Sequence, residues 1–140
     1  MSLAHHSLVA WQRADDLFIR LHQLSLKVFP AYERFELGSQ LRRAAFSVAA
    51  NIVEGSAHPA GRRRVNYFIV SRASLAEVGY CVHVAQRLGY VSEAVTKELE
   101  IQVKEVGAPL AGLIRSTRLK ISATTGAAVV LISSLAVRLA

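Results

Sequence analysis

Three pairs of side chains in this sequence have the types that acid–base, nucleophilic or metal chemistry uses, and their spacing disqualifies each. Cys81 and His83 are two residues apart. On a helix that sets them about 200° apart, so no thiolate–imidazole pair forms; a small buried cysteine beside a half-exposed histidine is expected instead. Glu54 and His58 have the spacing of two helical ligands. Gly55 and Pro59 are expected to break the helix between them, and a bundle metal site needs Glu-x-x-His pairs on two helices. Asp15 and Asp16 diverge by about 100° and read as a solvated face, with Asp16 four residues before Arg20. Gly55 and Gly61 lack the strand and the Lys-Ser/Thr that would make them a phosphate loop. The expectation is a protein that is not an enzyme and uses no cofactor or metal.

Charge is what survives this screen. The 140 residues carry 17 Lys and Arg against 10 Asp and Glu, a net +7, although 52% of the chain is hydrophobic. Between Leu37 and Ala76 stand Arg42, Arg43, Arg62, Arg63, Arg64 and Arg72 with a single acid, Glu54. Arg62, Arg63 and Arg64 fall where Pro59 predicts the first turns of a helix. Their charges add to the positive end of its dipole, and guanidinium forks with free backbone N–H groups suit a phosphate. These six arginines are the candidate nucleic-acid contacts. The competing reading is ion pairing of Arg42 and Arg43 with Glu54 or Glu77 inside an assembly, which would make the protein an interaction scaffold. Among nearby aromatics, Phe46 and Tyr67 could stack bases, whereas the spacing of Phe68 favours the core.

The elements that must position these arginines are helical. Trp11, Ala14, Leu17, Phe18, Leu21, Leu24 and Val28 recur at three and four residues and predict a helix that ends before Pro30. Leu37, Leu41, Ala44, Ala45, Val48 and Ile52 predict a second, with Gly55 as its stop. Tyr67, Phe68, Ser71, Leu75, Val78, Val82, Ala85 and Leu88 predict a third, the longest, closed by Gly89. Ser92 caps a fourth, through Val95, Leu99, Val103, Val106, Leu110 and Leu113, with a weak or kinked middle at Gly107 and Pro109. Short linkers make antiparallel neighbours of them, so the fold class is all-α, an up-and-down four-helix bundle over residues 1–120. Residues 121–140 are an apolar extension. Its helical reading, on Ala128, Leu131, Ile132, Leu135 and Leu139, and its strand reading, on Val129 to Ile132, stand nearly even, and being apolar all round it must be buried, within the chain or against a partner.

No run reaches the roughly 20 apolar residues of a membrane span. The longest, Gly126 to Ala136, carries Ser133 and Ser134. With a lone cysteine and an N-terminus without a basic-then-apolar layout, the cytoplasm is the expected location.

The segment Glu33-Arg34-Phe35-Glu36-Leu37-Gly38-Ser39-Gln40-Leu41-Arg42-Arg43-Ala44-Ala45-Phe46-Ser47-Val48-Ala49-Ala50-Asn51-Ile52-Val53-Glu54-Gly55 resembles the four-helix-bundle proteins encoded in bacterial 23S ribosomal RNA intervening sequences. Val9-Ala10-Trp11-Gln12, Phe29-Pro30, Ser74-Leu75-Ala76-Glu77 and Arg87-Leu88-Gly89-Tyr90 extend the likeness over about Leu8 to Lys120. The resemblance implies a homopentamer without established enzymatic activity. Related bundles that assist the reverse transcriptases of diversity-generating retroelements bind nucleic acid through a basic surface, so RNA or DNA is the implied partner, with another protein as the alternative. Two departures stand out. Ala49 replaces the proline usual after Ser-Val, which straightens the end of the second helix, and Ala57-His58 replaces a basic residue after Glu-Gly, which moves the anion site onto Arg62 to Arg64.

Overall fold

In the computed structural model, which describes residues 3–139, four helices follow one another: α1 (Val9–Val28), α2 (Leu37–Ala57), α3 (Arg62–Arg87) and α4 (Glu93–Leu139). Single 3-10 turns at Ala4–Ser7 and Ala31–Glu33 precede α1 and α2. The expected bundle is there. The α1–α2, α2–α3, α3–α4 and α1–α4 pairs all pack together, and cross-contacts give antiparallel register: Ser47 Oγ lies 2.8 Å from Ser74 Oγ and Ser71 Oγ donates to Val48 O at 2.7 Å. The predicted stripes supply the core, with Leu17, Leu21, Leu41, Val48, Ile52, Phe68, Val78, Leu99, Val106 and Leu110 all nearly inaccessible. Val28 and Leu88, at the ends of their stripes, are exposed.

The helix ends follow local chemistry. The Pro30 ring pushes Phe29 into the extended region (φ −70°, ψ 146°) and stops α1. Gly89, at φ 77°, closes α3. Gly89 N donates to Gln86 O and Tyr90 N to Ala85 O, both at 2.9 Å, which is the paired bonding of a left-handed glycine cap. Ser92 Oγ accepts from Val95 N at 3.2 Å, the expected N-cap of α4.

Gly55 is not a stop. It lies inside α2, which runs on to Ala57, and a Cβ there would sit 2.7 Å from Phe68 Cε1. The residue is glycine because the Phe68 ring occupies that space. Nor does α3 hold the greatest length, which belongs to the 47 residues of α4. That helix continues through Gly107 and Pro109, where a weak or kinked middle was expected. Proline has no N–H to give the carbonyl four residues back. From α1, Arg13 Nη1 donates to that carbonyl, Glu105 O, at 3.0 Å, so the acceptor freed by Pro109 is satisfied across the bundle.

The extension is helical. Its burial inside the chain does not occur: Ile121 is half-buried, and Val130, Ile132 and Leu135 are 67%, 70% and 63% exposed. Residues 123–139 carry α4 about 25 Å past the end of the bundle. No helix among the described residues is long and apolar enough to cross a membrane.

At the opposite end, Tyr90 ties the α3–α4 corner to the start of α2. Its hydroxyl lies 3.3 Å from that of Tyr32 and donates to Glu33 Oε1 at 2.9 Å, while Glu33 Oε2 accepts from Leu37 N. Hydrogen bonds to Tyr32 and then Glu33 hold the Tyr90 phenol well above its ordinary value. A raised folded value means that the neutral phenol is the native form. Its stabilisation is complete below about pH 10, where an unfolded tyrosine titrates, and is lost as pH climbs through the folded value. Tyr90→Phe is therefore expected to flatten the alkaline fall in stability, read by urea unfolding on both sides of about pH 10; an identical fall in both proteins would refute the linkage.

Candidate nucleic-acid interface

Small side chains bring α2 and α3 close together. Ala44, Ala45, Ala49, Gly55, Ser71 and Ser74 are buried, and Asn51 Nδ2 donates to Ser47 O and Ser47 Oγ at 2.8 and 3.0 Å. This pair of helices carries all six candidate arginines, but it separates them by role. Arg42 is half-buried, giving Nη1 to Ser25 Oγ at 3.0 Å and Nη2 to Arg34 O at 2.6 Å, so it pins the loop between α1 and α2. Arg64, also half-buried, gives Nε to Gly55 O and Nη2 to Ser56 O, each at 3.0 Å. These are carbonyls of the last turn of α2, where Gly55 O also accepts from His58 N at 3.2 Å. Its cation thus caps the negative end of one helix from the first turn of the next.

Arg43, Arg62, Arg63 and Arg72 differ. All four are exposed, and none makes a hydrogen bond or ion pair among the described residues. The antiparallel register puts Arg43 near one end of the α2–α3 layer, level with Glu77, Arg72 near its middle, and Arg62 and Arg63 at the other end. Glu54 and Glu77 are exposed too and bridge none of them. Arg43 and Glu77 do share a groove of about 380 Å³ with Gln40, Phe46, Ser47 and Ser74. Phe46 packs its ring edge 5.6 Å from Phe18 yet stays 59% exposed. Of the other aromatics, Phe68 is buried as expected, and Tyr67 stacks on His58 at 5.2 Å.

A further cation is invisible in the α2–α3 segment. The antiparallel packing of α4 on α3 brings Arg118 to Arg62, and the two line one groove with Asn66, Ile69, Ile121 and Ser122. Only the pairing register of α3 with α4 sets 118 beside 62, and no local pattern encodes that register.

Cys81 is buried, and burial, then the nearby Glu77 charge, pushes its thiol up, toward an inert protonated form. His83 is exposed. The helix is unbroken at Gly55, but His58 has already left it, with φ −90° and ψ 149°, and its ring lies on Tyr67. No cluster of three metal-ligating side chains occurs among the described residues.

Comparison with known proteins gives one family and one fold. The family model described as 23S rRNA-intervening sequence protein matches residues 6–112. A search of curated proteins returns no match. A crystal structure of a protein of unknown function from the S23 ribosomal protein family, from Bacteroides thetaiotaomicron, superimposes with a TM-score of 0.70 at 18% identity, over 76% of this chain and 98% of that one. At that identity the likeness is one of fold.

Proposed function

From the premise that the chain belongs to the 23S rRNA-intervening sequence protein family, we propose that it is a non-catalytic, self-associating bundle of the cytoplasm that holds RNA or DNA by its phosphates. The observation that carries this reading is the set of four exposed guanidiniums, Arg43, Arg62, Arg63 and Arg72, with no partner among the described residues. Such groups release counterions from a polyanion on contact, which gives affinity that depends strongly on salt and weakly on sequence. Arg42 and Arg64 serve the site indirectly, by holding the loop and the helix end that present the others.

Self-association follows from exposed apolar surface. Phe46, Val130, Ile132 and Leu135 leave apolar area wet in a single chain, and the stretch from Ile121 to Val137 carries no charged side chain to keep copies apart. The family resemblance implies five copies, which would multiply the positive field. A scaffold reading retains one favourable fact: Arg43 and Glu77 face one groove unbridged and are free to pair across subunits.

Light scattering coupled to ultraviolet absorbance, on protein purified without nuclease, tests both halves of the proposal. The expected particle is a multiple of 15.3 kDa carrying co-purified nucleic acid that high salt strips away. A nucleic-acid-free particle would favour the scaffold, and a monomer would overturn self-association.

A further inference from the structure

The groove between α3 and the end of α4 has a chemistry of its own. Two guanidiniums, Arg62 and Arg118, line it with the Asn66 amide and the Ser122 hydroxyl over an apolar floor of Ile69 and Ile121. No acid lines it, and neither arginine has a hydrogen bond or ion pair among the described residues. At about 420 Å³ it falls within the range of small-molecule sites. Two cations brought together without a counter-charge match a dianion better than a monoanion. An internal phosphodiester carries one negative charge, whereas a phosphomonoester carries close to two at neutral pH. The half-buried isoleucines suit the face of a sugar or base, and the amide and hydroxyl suit its polar edges.

We propose that this groove seats the phosphomonoester of a nucleoside 5′-phosphate, with Arg62 and Arg118 clamping the dianion. The ligand is either the 5′ end of a strand or a free nucleotide. The first source rests on the nucleic-acid reading above; the second stands without it. Arg118, Ile121 and Ser122 lie past the matched residues 6–112, so the groove draws partly on a stretch of α4 outside the family match.

The test compares a single-stranded RNA of about 12 nucleotides bearing a 5′-phosphate with the same strand bearing a 5′-hydroxyl, by fluorescence anisotropy on the full chain. Charge-assisted bonds from a second arginine are expected to make the phosphorylated strand bind about tenfold tighter. Arg118→Ala, at an exposed helical position, is expected to bring the ratio of the two affinities close to one, which a loss of general phosphate contact alone would not do because it weakens both strands alike. Equal affinity for the two strands would overturn the seat and leave the general nucleic-acid reading intact. Where neither strand binds, that reading fails, and adenosine monophosphate alone decides by calorimetry. Saturable binding abolished by Arg118→Ala supports the seat as a free-nucleotide site, and no heat of binding overturns it.

Discussion

Replacing Phe68 with alanine is expected to cost about 3–5 kcal/mol of folding stability, the largest effect of any single truncation on the α2–α3 seam. The ring is 2% exposed and fills the space that Gly55 leaves open on α2. Its removal therefore creates a cavity bounded by backbone, which side-chain rearrangement cannot close. The reciprocal substitution makes the same point from the other side. Gly55→Ala places a Cβ 2.7 Å from Phe68 Cε1 and 3.1 Å from Tyr67 Cβ, and overpacking of that kind costs about 1–3 kcal/mol. Gly126→Ala, where no atom lies within 4 Å, is the control and is expected to stabilise helix by under about 1 kcal/mol. Urea unfolding followed by circular dichroism reads all three. A Phe68→Ala loss below about 1 kcal/mol would mean that the seam is not packed as described.

The second large effect is on affinity. Removing Arg62, Arg63 and Arg72 together as alanine substitutions is expected to weaken single-stranded RNA binding on the order of a hundredfold at about 0.1 M salt, since each lost phosphate contact forfeits about 0.7 of a decade there. All three are exposed and unbridged, so folding should be little changed. Arg64→Ala is expected to behave in the opposite way. It strips two hydrogen bonds from the end of α2 and lowers stability by about 1–2 kcal/mol, with binding per folded chain nearly preserved. The contrast matters because Arg62, Arg63 and Arg64 are neighbours in one turn. A substitution of all three would confuse a lost contact with a loosened helix end.

Arg64 also marks where sequence reasoning runs short. Charge counting finds six arginines against one acid, but it cannot tell that Arg42 and Arg64 donate to backbone carbonyls while Arg43, Arg62, Arg63 and Arg72 face water. That difference depends on where α2 ends, and Gly55 misplaces the end. A glycine near the close of an apolar stripe reads as a stop from local propensity, whereas here it is set by the ring of Phe68, 13 residues further along the chain on α3, a tertiary override. At Pro109 too a distant partner enters: the helix runs on, and the carbonyl that the proline leaves free accepts from Arg13 of another helix. The features that were legible are those decided within a few residues: the Phe29-Pro30 stop, the left-handed cap at Gly89, the Ser92 cap and the four apolar stripes. The extension lies between these cases. Its uniform apolarity signals a need for a partner, and the chain does not provide one for Val130, Ile132 and Leu135 within the bundle.

The most direct test of the phosphate-binding surface is the salt dependence of binding to a single-stranded RNA, measured for the unaltered chain and for the Arg62, Arg63, Arg72 triple alanine variant. Four free guanidiniums call for log Kobs to fall linearly with log salt at a slope of about −3 or steeper, and the variant should lose about two units of that slope. A flat dependence, or the same slope in both proteins, would contradict the assignment of these arginines to phosphates.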